Sequence, residues 1–168
     1  AEAQQLLREW NHTRYLQSPF QSIPQLFEQQ VKATPHQIAI AYEDHSLSYT
    51  ELNHQVNQLA HYLSSKKVTT NRLVAVCLPR SMDIAIALLA VIKLGAAYVP
   101  IDPNYPLERI RYLLSDAKPE LVLTHEVLGA SYAALNFPQE NIIYLDHKEQ
   151  LSDYSSENPV LRIDPQQL

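Results

Sequence analysis

Seven histidines, a single cysteine and a few well-placed hydroxyls and carboxylates are the side chains of this sequence that could do chemistry. His54 and His61 stand seven residues apart in one stretch with helical apolar spacing. That puts them on a similar face but two turns apart, wider than the i, i+4 spacing of metal-binding helices. His12, His36, His45, His125 and His147 fall in loops or at element edges, so all seven read as solvated surface. Cys77 sits inside the apolar run Leu73–Leu78 without a cationic neighbour in sequence, which predicts a buried, inert thiol. Ser81 follows a turn after that run, as a nucleophile elbow would. The Gly-x-Ser-x-Gly frame is absent, however, and helix capping accounts for the residue.

Asp102 is the most tempting carboxylate, because it lies just past the carboxyl end of an expected strand, where α/β proteins build sites. Its side chain can instead hold the Pro-rich turn that follows, and that role is preferred. Arg109 and Arg111 could touch a phosphate, yet they fall on the polar face of an amphipathic helix pattern. Of the ten tyrosines, Tyr49, Tyr98 and Tyr105 fall at element ends, where a ring packs while its hydroxyl stays wet. No Tyr/Arg clustering suggests a base-stacking platform. A phosphate cradle needs several glycines or small residues so that backbone N–H groups can approach the anion. This sequence has 2 glycines, Gly95 and Gly129. No catalytic, cofactor-binding or metal-binding residue is therefore assigned to it.

The elements that would position any such groups are legible in the patterning. Residues 1–21 read as a linker-like segment docking through Trp10, with Pro19 near its end. Ser22-Ile-Pro-Gln25 reads as a capped helix start, followed by an apolar face of Ile23, Leu26, Phe27 and Val31. Residues 37–42 and 47–49 read as strands joined by a turn. Ser48-Tyr-Thr-Glu51 fits a capping box, with Thr50 as the competing cap, ahead of Leu52, Val56, Leu59, Ala60 and Leu63 at helical spacing. Leu73–Leu78 reads as a central parallel strand. Met82–Leu94 is a helix apolar nearly all round, and Gly95 is placed to end it in a left-handed conformation. Ala97–Ile101, Leu121–Thr124 and 141–145 read as further strands, with helices over 107–117 and 126–135 between them. The expected fold is a layered α/β domain over 22–145, a mostly parallel sheet with helices on both faces. Residues 146–168, with Pro159 and Pro165, read as a polar surface tail.

Composition sets the outer limits. Hydrophobic residues at 46% and charged residues at 18% suit an ordinary globular domain with a real core. A formal charge of -5, with no basic run longer than Lys66-Lys67, argues against nucleic acid as a partner. The lone cysteine fits a reducing, cytoplasmic compartment. The apolar run Ile84–Leu94 is broken by Lys93 and is shorter than the roughly 20 residues of a membrane span.

Ile92–Asp102, reading IKLGAAYVPID, closely resembles a core motif of the adenylation domains of nonribosomal peptide synthetases. Leu47–Leu52 (LSYTEL) resembles an earlier core motif of the same family, in the right order. Residues 26–40, 53–63 and 121–124 also look familial, and Leu6–Thr13 (LLREWNHT) resembles the linker that follows an upstream condensation domain. The resemblance implies the N-terminal part of an adenylate-forming enzyme. The full domain would use Mg-ATP to make an aminoacyl adenylate, then load a phosphopantetheinyl carrier protein downstream. It also implies that the phosphate-gripping loop, the substrate-pocket residues, the ribose-binding aspartate and the catalytic lysine lie beyond Leu168, with Asp164–Leu168 as the lead-in. The chain is then expected to be a scaffold, inactive alone, exposing apolar area that the rest of the domain would cover. Two alternatives are half of a split adenylating enzyme and a free-standing α/β interaction module that lost catalysis.

Overall fold

The computed structural model describes residues 4–6, 22–133 and 137–160. Helix α1 (Ile23–Ala33) starts at Ser22, whose side chain accepts from the Gln25 backbone N–H while Gln25 reaches back to the Ser22 N–H. An antiparallel hairpin follows, β1 (Ile38–Tyr42) and β2 (His45–Ser48), with a register irregularity between Ile38 and Ile40. Helix α2 (Tyr49–Ser65) opens on a second reciprocal box: Ser48 caps the Glu51 N–H, and Glu51 returns to the Ser48 N–H at 2.8 Å. Ser48, not Thr50, is the cap, because only Ser48 has the extended backbone that turns its hydroxyl toward the helix end.

The second half alternates strand and helix: β3 (Leu73–Val76), α3 (Met82–Lys93), β4 (Ala97–Pro100), α4 (Leu107–Ala117), β5 (Leu121–Thr124), α5 (Glu126–Ala133) and β6 (Ile142–Tyr144). The four strands form one parallel sheet in the order β4-β3-β5-β6, as the long helical crossovers require. Alternation along the strands divides the core in two. Val74, Val76, Leu121, Leu123 and Ile143 face α2 and α3, while Ala75, Cys77, Val122 and Ile142 face α4. Helices therefore cover both faces. Gly95 ends α3 at φ 67°, the left-handed conformation in which a Cβ is strained.

Two local expectations are corrected. Ser81 stands at the start of α3 without capping it: its hydroxyl donates back to the Pro79 carbonyl at 3.2 Å. The stretch after β6 is not a free surface tail as far as Val160. Residues 148–151 form a short 3-10 helix, and Tyr154, Ser156 and Asn158 pack along α2.

Candidate functional site

Strand β3 hands the chain to α3 on one face of the sheet, and its neighbour β4 hands it to α4 on the other. Chains that leave adjacent strands for opposite faces open a crevice at their carboxyl ends, the usual ligand position in open α/β sheets. Here that crevice measures about 600 Å³. Its walls are mainly apolar, among them Leu78, Ile84, Leu88, Ile101 and Leu128, and its polar rim carries Arg80, Asp102, Asn104 and Tyr105.

Asp102, Asn104 and Tyr105 of this rim are engaged with close neighbours in sequence. Asp102 Oδ1 accepts from the Asn104 backbone N–H at 2.9 Å and from Asn104 Nδ2 at 3.0 Å, closing the Pro-rich turn as the structural reading of Asp102 expects. The Arg109 guanidinium lies 4.3 Å from the Tyr105 ring centre, and Arg111 pairs with Glu108. Cys77 is fully buried in the sheet, its backbone N–H bonded to the Leu123 carbonyl.

Both glycines have structural tasks. Gly95 takes the left-handed helix end. Gly129 lies against Tyr144, where a Cβ would come within 2.7 Å of the ring. Neither is free to open a phosphate-binding loop.

The histidines divide. His36, His45 and His54 are exposed as expected, and His12 lies outside the described residues. His61 Nε2 donates to the Glu157 carbonyl at 2.9 Å. His125 is mostly buried just past β5, and its Nε2 donates to Asp83 Oδ2 at 2.9 Å, with Lys148 on the far oxygen at 3.7 Å. Reading His125 as solvated missed this contact, whose partner is 42 residues away. His147 Nε2 donates to Glu126 Oε2 at 2.8 Å, and that bond holds its pKa above the usual value. Glu126, Asp146 and His147 are the three-residue group with cation-binding spacing among the described residues. Both Asp146 oxygens already accept from the Glu126 backbone N–H at the start of α5, which satisfies the group internally.

The densest polar cluster lies elsewhere. Lys93, the last residue of α3, is 2% exposed. Its ammonium donates to Glu28 Oε1 (3.0 Å), Asn53 Oδ1 (2.9 Å), Asn57 Oδ1 (2.7 Å) and Asn158 Oδ1 (2.9 Å). Burial pushes the Lys93 pKa down, and the hydrogen bond and charge of Glu28 oppose that shift. Each of these four partners meets the nitrogen with an acceptor oxygen, which suits an ammonium and not a neutral amine. Two sequence signals could have exposed the cluster. Lys93 is the one charge in the apolar stretch Ile84–Leu94, and Asn53 and Asn57 interrupt the apolar face of α2 one turn apart.

The sequence matches the family described as AMP-binding enzyme over residues 27–166. It is 42% identical over 151 residues to tyrocidine synthase 2 of Brevibacillus parabrevis, covering 90% of this chain and 4% of that protein. It is 47% identical over 123 residues to gramicidin S synthase 2 of Brevibacillus brevis, covering 73% of this chain and 3% of the relative. The chain thus spans only a few per cent of the curated relatives it matches. Among solved structures, it superposes on the N-terminal subdomain of Klebsiella oxytoca NpsA in complex with 3-hydroxyanthranilyl-AMSN. The TM-score is 0.72 at 25% identity, covering 89% of this chain and 38% of that one. It also superposes on the nonribosomal peptide synthetase FmoA3 in its α-methyl-L-serine-AMP bound form, with a TM-score of 0.75 at 26% identity over 90% of this chain and 17% of that one.

Proposed function

This chain belongs to the AMP-binding enzyme family, and from that premise we propose that it serves as the N-terminal scaffold of an amino-acid-activating adenylation domain in nonribosomal peptide synthesis. In the whole domain, an amino-acid carboxylate would attack the α-phosphate of Mg-ATP, giving aminoacyl adenylate and pyrophosphate. A phosphopantetheinyl carrier-protein thiol would then take the aminoacyl group as a thioester. The remainder of the domain and that carrier protein are the expected partners, with a condensation domain upstream. No helix among the described residues is long and apolar enough to cross a membrane. The lone buried thiol of Cys77 suits our placement of the protein in the cytoplasm.

The observation that carries the scaffold reading is how the polar groups around the carboxyl-edge crevice are used. A triphosphate needs converging backbone N–H groups and cations that gain new partners when it binds. Asp102 and Asn104 close a turn on each other, Arg109 rests on Tyr105, and both glycines are committed to a helix end and a ring contact. These commitments support the scaffold reading, and no step of the reaction is assigned to the described residues.

Amino-acid-dependent ATP–pyrophosphate exchange tests the reading. The isolated chain should give no exchange above background, whereas a protein that continues from it through the rest of the domain should exchange. Robust exchange by the chain alone would overturn the scaffold role.

A further inference from the structure

After β6 the chain turns back across the molecule and lies along α2 in the opposite direction. The Tyr154 ring packs edge-on against Tyr62, with centres 5.3 Å apart, and the Tyr154 hydroxyl meets Ser65 at 3.1 Å. One turn of α2 toward its start, His61 donates to the Glu157 carbonyl. A further turn on, Asn57 Nδ2 donates to the Ser156 carbonyl at 2.7 Å and to Asn158 Oδ1 at 2.9 Å. The last contact is Asn53 Nδ2 to Asn158 Oδ1 at 3.2 Å.

Asn158 Oδ1 is the focus of this arrangement. It receives Lys93 Nζ as well as both asparagine amides, so α2, α3 and the strap converge on a single oxygen. A buried ammonium stays charged only while acceptors surround it. The ammonium has three N–H groups for its four acceptors, so what favours this strap register is that Asn158 Oδ1 meets both asparagine amides together with the buried charge. Because side chains on α2 repeat each turn, the same contacts would be poorly made if residues 154–158 slid by one position.

We propose that Lys93 and Asn158 form a latch that fixes the register of the 154–158 strap on α2, making Lys93 a positioning residue for the chain beyond Val160. Within the adenylation reading, on which this part of the proposal rests, the chain beyond Val160 leads into the nucleotide-binding portion of the domain. The latch then sets where that portion begins relative to the parallel sheet.

Two measurements separate the latch from the reaction. In the first, deuterium uptake is followed in peptides spanning 152–158 and in peptides from α2 and β3. Asn158→Ala leaves Lys93 its other three acceptors. It should raise exchange in the strap about tenfold or more while α2 and β3 keep their protection, because only a local opening is made easier. Lys93→Met should do the same if it folds. Unchanged strap protection in Asn158→Ala overturns the latch. In the second, the same Asn158→Ala is placed in a protein carrying the rest of the domain, and exchange kinetics are read. A roughly tenfold rise in KM for ATP, with KM for the amino acid unchanged, is the expected result. A fall in kcat with both KM values unchanged overturns the positioning role. If the strap loosens but the unsubstituted longer protein shows no exchange, the latch stands and the adenylation reading fails.

Discussion

Lys93 is held by acceptors 36 to 65 residues away in sequence, and His125 by one 42 residues away. No local pattern announces such partners, which is why a lysine in an apolar helix reads at first as a mere interruption. Asp102 is the opposite case: its partner Asn104 is two residues on, and the turn is legible from the neighbouring residues alone. His147 lies between the two, facing Glu126 with Asp146 and Glu149 nearby. The Glu126 hydrogen bond raises its folded-state pKa above the ordinary 6.5. A raised histidine pKa stabilises the fold fully below the unfolded value, and that stabilisation is lost as pH rises through the folded value. The thermal midpoint of the native protein, relative to His147→Gln, should therefore be higher near pH 5.5 and converge with it above pH 8. The effect is small, because the pair is exposed and screened. Parallel midpoints for the two proteins across that range would rule the pairing out as a stabilising contact.

At the scale of elements, the two capping boxes show how far a sequence reading reaches. Ser22 with Gln25 and Ser48 with Glu51 are contacts across three residues, and both form as the pattern predicts. Ser48 supplies the bond that starts a 17-residue helix carrying Leu52, Val56, Leu59 and Leu63 into the core. Replacing a serine cap by alanine costs about 1 kcal/mol, or roughly 2–4 °C in thermal midpoint for a domain of this size. Ser48→Ala should show that loss, and Thr50→Ala, which removes the competing hydroxyl, should show little of it. Equal losses would mean that Ser48 is no more a cap than Thr50. The parallel pairing is legible for a related reason, since helices between short apolar strands leave few alternatives. The 154–158 strap is not, because its residues are polar and its partners on α2 lie 89 to 105 residues away in sequence.

At the scale of the whole molecule, two sets of apolar side chains stand out on the surface of the described residues. One lines the crevice at the carboxyl ends of β3 and β4. The other comprises exposed side chains of α1 and of the hairpin: Ile23 is 59% exposed, Leu26 50% and Ile38 67%, while their neighbours Phe27 and Ile40 pack on the core. A two-stranded hairpin is marginal in water without further strands or a covering layer, and β1 and β2 form a sheet of their own. In the proposed function these surfaces are where the remainder of the adenylation domain packs. Handled alone, the chain should bind an apolar dye such as anilinonaphthalene sulfonate and sediment as concentration-dependent oligomers, because contiguous apolar patches on isolated domains associate. Substituting Ile23→Lys and Ile38→Thr together touches no buried side chain, so it should shift the sedimentation toward monomer while leaving the far-ultraviolet circular dichroism unchanged. Dye binding that survives the pair would assign the dye to the crevice. A chain monomeric at high concentration without either substitution would show that these exposed side chains are ordinary surface and need no partner to cover them.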